Sequence, residues 1–223
     1  TGWISFSSVS CKYPAGIYPD HVVRFTICGQ GTNNNETTFS YDEPKILNLR
    51  YGNSPATGQV SMHVTGFNFG TADYSAKMYV GHTERIVHVP ANASQTAFTA
   101  TDWESDTSLF TKTPPGLGLE LGVILFHNVT GRPAGTLKGL FSYDGPTISS
   151  VALGNGPASG ALNITITGAN YGVEDYFTFK NIKGMLRAGG TASDSSYWLS
   201  DSSMLGLVSP GVCPYKPLVV SVM

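Results

Sequence analysis

Three carboxylates alternate at Asp102, Glu104 and Asp106. On a strand that spacing puts all three on one face, and grouped hard oxygens are what Ca²⁺ takes. Equivalent positions in the internal repeats set out below hold Gly2, Ile4 and Phe6 in one copy, and only Asp201 in another. A solvated sheet edge is therefore the expectation, with no metal. The histidines His21, His63, His82, His88 and His127 form no HExxH, and no GxSxG is present. The Gly-Asn-Gly at 154–156 opens a turn between strands, not a helix, so it offers no helix N-terminus to a phosphate. No catalytic residue and no cofactor are expected.

Covalent chemistry has more support. Asn35, Asn92, Asn128 and Asn163 each begin an Asn-x-Ser/Thr sequon, the acceptor for N-linked glycan in a secreted chain. Asn163 falls on the outward face of its expected strand. Asn35 sits in a polar run, Asn92 follows a proline, and Asn128 ends a strand. Of three cysteines, Cys11 and Cys28 could pair across neighbouring strands or stay as two thiols, and Cys213 has no evident partner. The absence of CxxC leaves zinc and thioredoxin-type chemistry unsupported.

The net charge is −2, and no run of Lys and Arg occurs, so nucleic acid is not an expected partner. No apolar stretch approaches the ~18 residues that span a bilayer. Charged residues are 13% of the chain, hydrophobic ones 41%, and Gly and Pro number 26 and 13. That balance suits many short strands joined by tight turns around packed cores.

What must position these groups is a repeat. Residues 39–70 and 141–172 align without a gap at an offset of 102, with 15 of 32 positions identical. A second block gives the phase. Trp3 and Gly16, Trp103 and Gly116, and Trp198 and Gly211 are each 13 residues apart. Residues 1–43 then read as the second half of a module, 44–145 as a complete module, and 146–223 as a module that stops before its last strand. The chain begins inside a module, so a segment or processed product of something longer is expected.

Within a module the apolar period is two. Val60, Met62 and Val64 alternate with Gln59, Ser61, His63 and Thr65, and Leu162, Ile164 and Ile166 alternate with Asn163, Thr165 and Thr167. This marks half-buried antiparallel strands, bounded by Gly- and Pro-bearing turns at 52–58 and 154–160. Further strands are expected at 76–81, 85–89, 108–113, 119–127 and 136–143. The recurrent Trp3, Trp103 and Trp198 argue for a core or inter-sheet role. About seven strands per ~100 residues reads as a β-sandwich.

Four motifs carry a family resemblance. They are Pro-x-Ile at 44–46 and 146–148, the Gly-x-x-Pro-x-x-Gly turn, Thr-Gly-x-Asn-aromatic-Gly at 65–70 and 167–172, and the Trp-x-Ser-Asp-x-Ser block. In these the chain resembles the IPT/TIG immunoglobulin-like modules. The resemblance implies an all-β fold of tandem Greek-key antiparallel sandwiches. It implies an extracellular or cell-surface setting, because the basic recognition loop of the transcription-factor branch is missing. The function expected is structural and adhesive: part of a stiff stalk, surface coat or filament, whose partners are neighbouring modules or subunits and covalent glycans. An open strand edge in the last module could support head-to-tail assembly. The alternative is a ligand- or carbohydrate-binding ectodomain, for which Phe67 and Tyr51 are the candidate exposed aromatics.

Overall fold

A computed structural model describes the chain except residues 18, 32–37, 82–95, 98, 127–132, 174–185, 213–214 and 223. Among the described residues there are only strands, turns and loops, and no helix is long and apolar enough to cross a membrane.

The first stretch holds β1 (Gly2–Ser5), β2 (Ser8–Ser10), β3 (His21–Val22), β4 (Thr26–Ile27), β5 (Gln30–Gly31) and β6 (Thr38–Phe39). They form three separate two-stranded ribbons, β1–β2, β3–β6 and β4–β5. Next come β7 (Lys45–Arg50), β8 (Asn53–Ser54), β9 (Ser61–Phe67), β10 (Lys77–Gly81), β11 (Thr96–Ala97), β12 (Thr99–Ser105), β13 (Ser108–Lys112), β14 (Leu121–Phe126) and β15 (Pro133–Tyr143). The last stretch has β16 (Thr147–Ala152), β17 (Leu162–Ala169), β18 (Leu186–Ala188), β19 (Thr191–Ala192), β20 (Ser195–Ser200), β21 (Ser203–Val208) and β22 (Leu218–Val220).

Two sheets face each other in the middle stretch, ordered β12-β13-β9-β7 and β11-β10-β14-β15-β8. All pairs are antiparallel except β15 with β8. The chain crosses between the sheets at each step from β7 to β10 and again from β11 to β12 and from β13 to β14, as in an immunoglobulin-like sandwich. The last stretch repeats it as β16-β17-β21-β20 facing β19-β18-β22. The chain is all-β, and the sheets of the middle and last stretches pack as immunoglobulin-like sandwiches.

The alternation read from sequence accounts for the cores. Met62 and Val64 are buried on β9, as are Ile164 and Ile166 on β17, while Ser61, Asn163 and Thr167 are exposed. The first two meet Leu109, Met78, Val123, Leu125 and Phe141 in one cluster. The second two meet Tyr171, Leu186 and Met204 in another. Burying side chains of this size contributes about 1.5–3 kcal/mol each against exposure.

Residues 1–43 differ. Trp3 is 77% exposed and Phe6 is fully exposed, and Ile17 is the one buried apolar residue among those described in that stretch. Trp103 and Trp198 do pack against the two clusters, so the core or inter-sheet role expected of all three tryptophans fails at Trp3. The physical reason is in the pairing. In the middle stretch β13 pairs with β12 on one side and with β9 on the other. Its counterpart β2 pairs with β1 alone among the described strands, so the hairpin lacks the neighbouring strand that β9 supplies in the middle stretch.

Candidate functional site

The Thr-Gly-x-Asn-aromatic-Gly motif builds one local structure twice. Asn68 and Asn170 sit at φ of 61° and 63°, the left-handed region that Asn tolerates better than most residues. Their side-chain amides donate to the carbonyls of Glu43 (3.2 Å) and Gly145 (3.3 Å), just before Pro44 and Pro146. Gly66 and Gly168 make room for this. A Cβ there would lie 2.1 Å from the Lys45 carbonyl oxygen, or 1.8 Å from that of Thr147. Phe69 and Tyr171 then turn into the core, each fully or almost fully buried.

The loop is closed by the aspartate three residues after each tryptophan. The Asp106 carboxylate accepts the Gly70 N–H at 2.9 Å, and its carbonyl accepts the Phe69 N–H at 2.9 Å. Asp201 does the same for Gly172 (3.0 Å) and Tyr171 (2.9 Å). Asp106 therefore leaves the expected row of carboxylates, since it lies in the turn after β12 while Asp102 and Glu104 are exposed on the strand. No cluster of metal-ligating side chains occurs among the described residues.

A third element pins the far end of the sandwich. Tyr143 is buried and its hydroxyl donates to the Pro114 carbonyl at 2.9 Å, over Gly116, where a Cβ would meet the ring at 2.7 Å. Tyr41 donates to Pro14 at 2.7 Å over Gly16 in the same way. At the junction that follows, Asp144 accepts from the Asn53 amide, and the Asn170 carbonyl oxygen accepts the Ala56 N–H at 3.2 Å. One side chain, Asn170, thus holds both the preceding turn and the linker.

The other expected positions are dispersed. Asn163 is exposed on β17 opposite Leu207. Asn35, Asn92, Asn128 and Cys213 lie outside the described residues, as do His82, His88 and His127. Cys11 and Cys28 are exposed, free thiols. Cys11 follows β2, whereas Cys28 lies between β4 and β5 at φ 49°, and those ribbons do not pair with each other. Tyr51 and Phe67 are both exposed aromatics, and Arg50 lies over the Tyr51 ring at 5.4 Å.

One group was not foreseen. On the outer face of the β12-β13-β9 sheet, the His63 Nε2 lies 2.6 Å from the Ser108 hydroxyl, which donates to Glu104. His63 also stacks on Phe110, centroids 4.7 Å apart. Since the serine proton goes to the carboxylate, the imidazole donates to the serine oxygen, so this order does not activate the hydroxyl as a nucleophile. The counterparts in the last stretch are Thr165, Ser203, Leu199 and Leu205. Cross-strand pairing carries the signal: Ser108 opposes Thr65, and Phe110 opposes His63. Spacing along the chain alone does not reveal it.

No family model matches the chain, and no curated protein matches it. Among solved structures it is similar to two crystal forms of the plexin A4 extracellular region. Each is 16% identical with a TM-score of 0.34 and covers 80% of this chain. The chain spans 17% and 14% of those two plexin chains.

Proposed function

We propose that the chain is a segment of a stiff extracellular or cell-surface repeat protein, with a structural and adhesive role as part of a stalk, coat or filament. Its units are the half module at 1–43, the complete module at 44–145, and the module at 146–223 without its last strand. The observation that carries this reading is the repeated joint. Asn68 and Asn170 grip the residue that precedes each module's proline, and proline itself restricts the residue before it. A linker tied to the module it enters transmits orientation instead of hinging. The IPT/TIG resemblance and the sequons supply the extracellular setting. Its partners are other modules of the same protein and covalent glycans, and head-to-tail assembly through an open strand edge is the finer form of the reading.

A second reading, ligand or carbohydrate recognition by a receptor ectodomain, is favoured by one observation. The His63–Phe110 stack and the exposed Phe67 belong to the same sheet and have no aromatic counterparts in the last stretch. Such module-specific surface is what a binding patch needs.

Glycopeptide mapping of the protein from its native source tests the setting. Glycan on Asn163 is the expected result. An unmodified Asn163 in material recovered from inside the cell overturns the extracellular reading.

A further inference from the structure

The outer faces of the two four-stranded sheets carry different chemistry at equivalent positions. In the middle stretch this face is charged. Arg50 opposes His63 across β7 and β9, Asp102 opposes Phe110 across β12 and β13, and Lys112 opposes Ser61 across β13 and β9. Arg50, Asp102, Glu104 and Lys112 are all exposed. Offsets of 102 and 95 bring these four positions to Ala152, Tyr197, Leu199 and Leu207. The last stretch has therefore exchanged each of these charges for an apolar or aromatic side chain.

The register groups the exchanged residues. Directly opposed residues of antiparallel strands share a face. Ala152, Thr165, Leu205 and Tyr197 form one row across β16, β17, β21 and β20. Asn163, Leu207 and Ser195 form the next. Ile164, Ile166, Met204 and Trp198 belong to the second core, so alternation turns their neighbours along the strands outward. Tyr197 is 58% exposed and Leu199 53%, while Leu205 and Leu207 are half-buried.

Two further exchanges fall on the same face. Ser61 and His63 of the middle stretch become Asn163 and Thr165, which complete the sequon Asn163-Ile164-Thr165. The sequon thus arises where the charges are lost. From β17 to β20 is two strand spacings, about 10 Å. The two N-acetylglucosamine rings at the root of an N-glycan span that distance. Their C–H faces and acetyl methyls are apolar and their hydroxyls polar, so they can cover apolar side chains and still present a wet surface.

We infer that this outer face is the seat of the glycan on Asn163, whose root sugars lie over Leu207 and Leu205 toward Tyr197 and Leu199. The glycan takes the place of the charges that keep the middle face hydrated. It also blocks association through an exposed apolar patch. The inference rests on the extracellular reading, since N-glycan belongs to secreted chains, and makes this glycan a packed part of its module.

The test uses the whole chain secreted from a glycosylating eukaryotic host, with the other sequons intact. Nuclear Overhauser contacts are expected between the Asn163-linked sugars and both the Tyr197 ring and the Leu207 methyls. A double-mutant cycle reads the coupling. Asn163→Gln should lower the thermal midpoint, followed at the Met204 methyl inside the second core, by about 4 °C or more. In a chain given the middle stretch's residues, Tyr197→Asp with Leu207→Lys, the same Asn163→Gln should shift it by less than about 1 °C. A glycan without those contacts, or an equal shift on both faces, overturns the inference and leaves the extracellular reading standing. So does a dimer of the glycosylated chain that Leu207→Lys abolishes, because the face then belongs to a second copy. A secreted chain with Asn163 bare overturns it as well. Native material with Asn163 bare is the separate failure, that of the extracellular reading on which this one depends.

Discussion

At the scale of single residues, the twice-built loop makes predictions that can be compared between copies. Asp106 and Asp201 each receive two backbone N–H groups, one on the carboxylate and one on the carbonyl. Replacing either by Ala removes a charge-assisted acceptor and should cost about 1–2 kcal/mol in denaturant unfolding. Asn, which keeps an oxygen in place, should recover most of that. Tyr171 tests the opposite case. It stands where the other copy has Phe69, and its buried hydroxyl has no hydrogen-bond partner among the described residues. Burial raises its pKa above the ordinary tyrosine value. The folded state therefore holds its proton where the unfolded chain releases it. This contribution is fully present below about pH 10 and is lost as pH rises above it. Tyr171→Phe should raise stability by about 1 kcal/mol at neutral pH and reduce the alkaline loss. A midpoint lowered by this substitution would mean the hydroxyl is satisfied after all.

At the scale of strands, the legible part of the sequence was the part governed by alternation. The period-two runs located β9 and β17 and the right buried faces, because half-buried strands leave that pattern whatever else surrounds them. The Thr-Gly-x-Asn-aromatic-Gly motif at 65–70 and 167–172 marked a repeated unit. It did not announce that Asn68 and Asn170 bind the linkers, since that bond crosses 25 residues of chain. Asp106 looked like one of three carboxylates on a face, yet the strand ends at Ser105 and the turn re-aims it. That Asp also follows Trp by three residues at 201, where no carboxylate row exists, was the available clue. Trp3 shows the converse limit, since recurrence in register does not bury a side chain when the neighbouring strand is missing among those described. The close approach at Gly66 is an element-level property. Gly66→Ala would drive a methyl into the Lys45 carbonyl and the Phe69 ring and push β7 off β9. We expect a loss of about 3 kcal/mol, read as a lower thermal midpoint. An unchanged midpoint would show that β7 does not start where described.

At the scale of the whole molecule, the core around Met62 and Val64 and the core around Ile164 and Ile166 are separate clusters. Stiffness then rests on the joints, and Asn170 is the side chain on which most of one joint converges. Small-angle X-ray scattering of the chain beside its Asn170→Ala variant measures this directly. With strands setting a module length of about 40 Å, the account predicts a rod-like profile with a radius of gyration of roughly 30 Å. A compact fold of this length would give about 17 Å. The variant should keep its secondary structure and show a broader distribution of end-to-end distances. A wild-type radius near the compact value, or a flexible-chain profile that Asn170→Ala leaves unchanged, would contradict the stiff-array account.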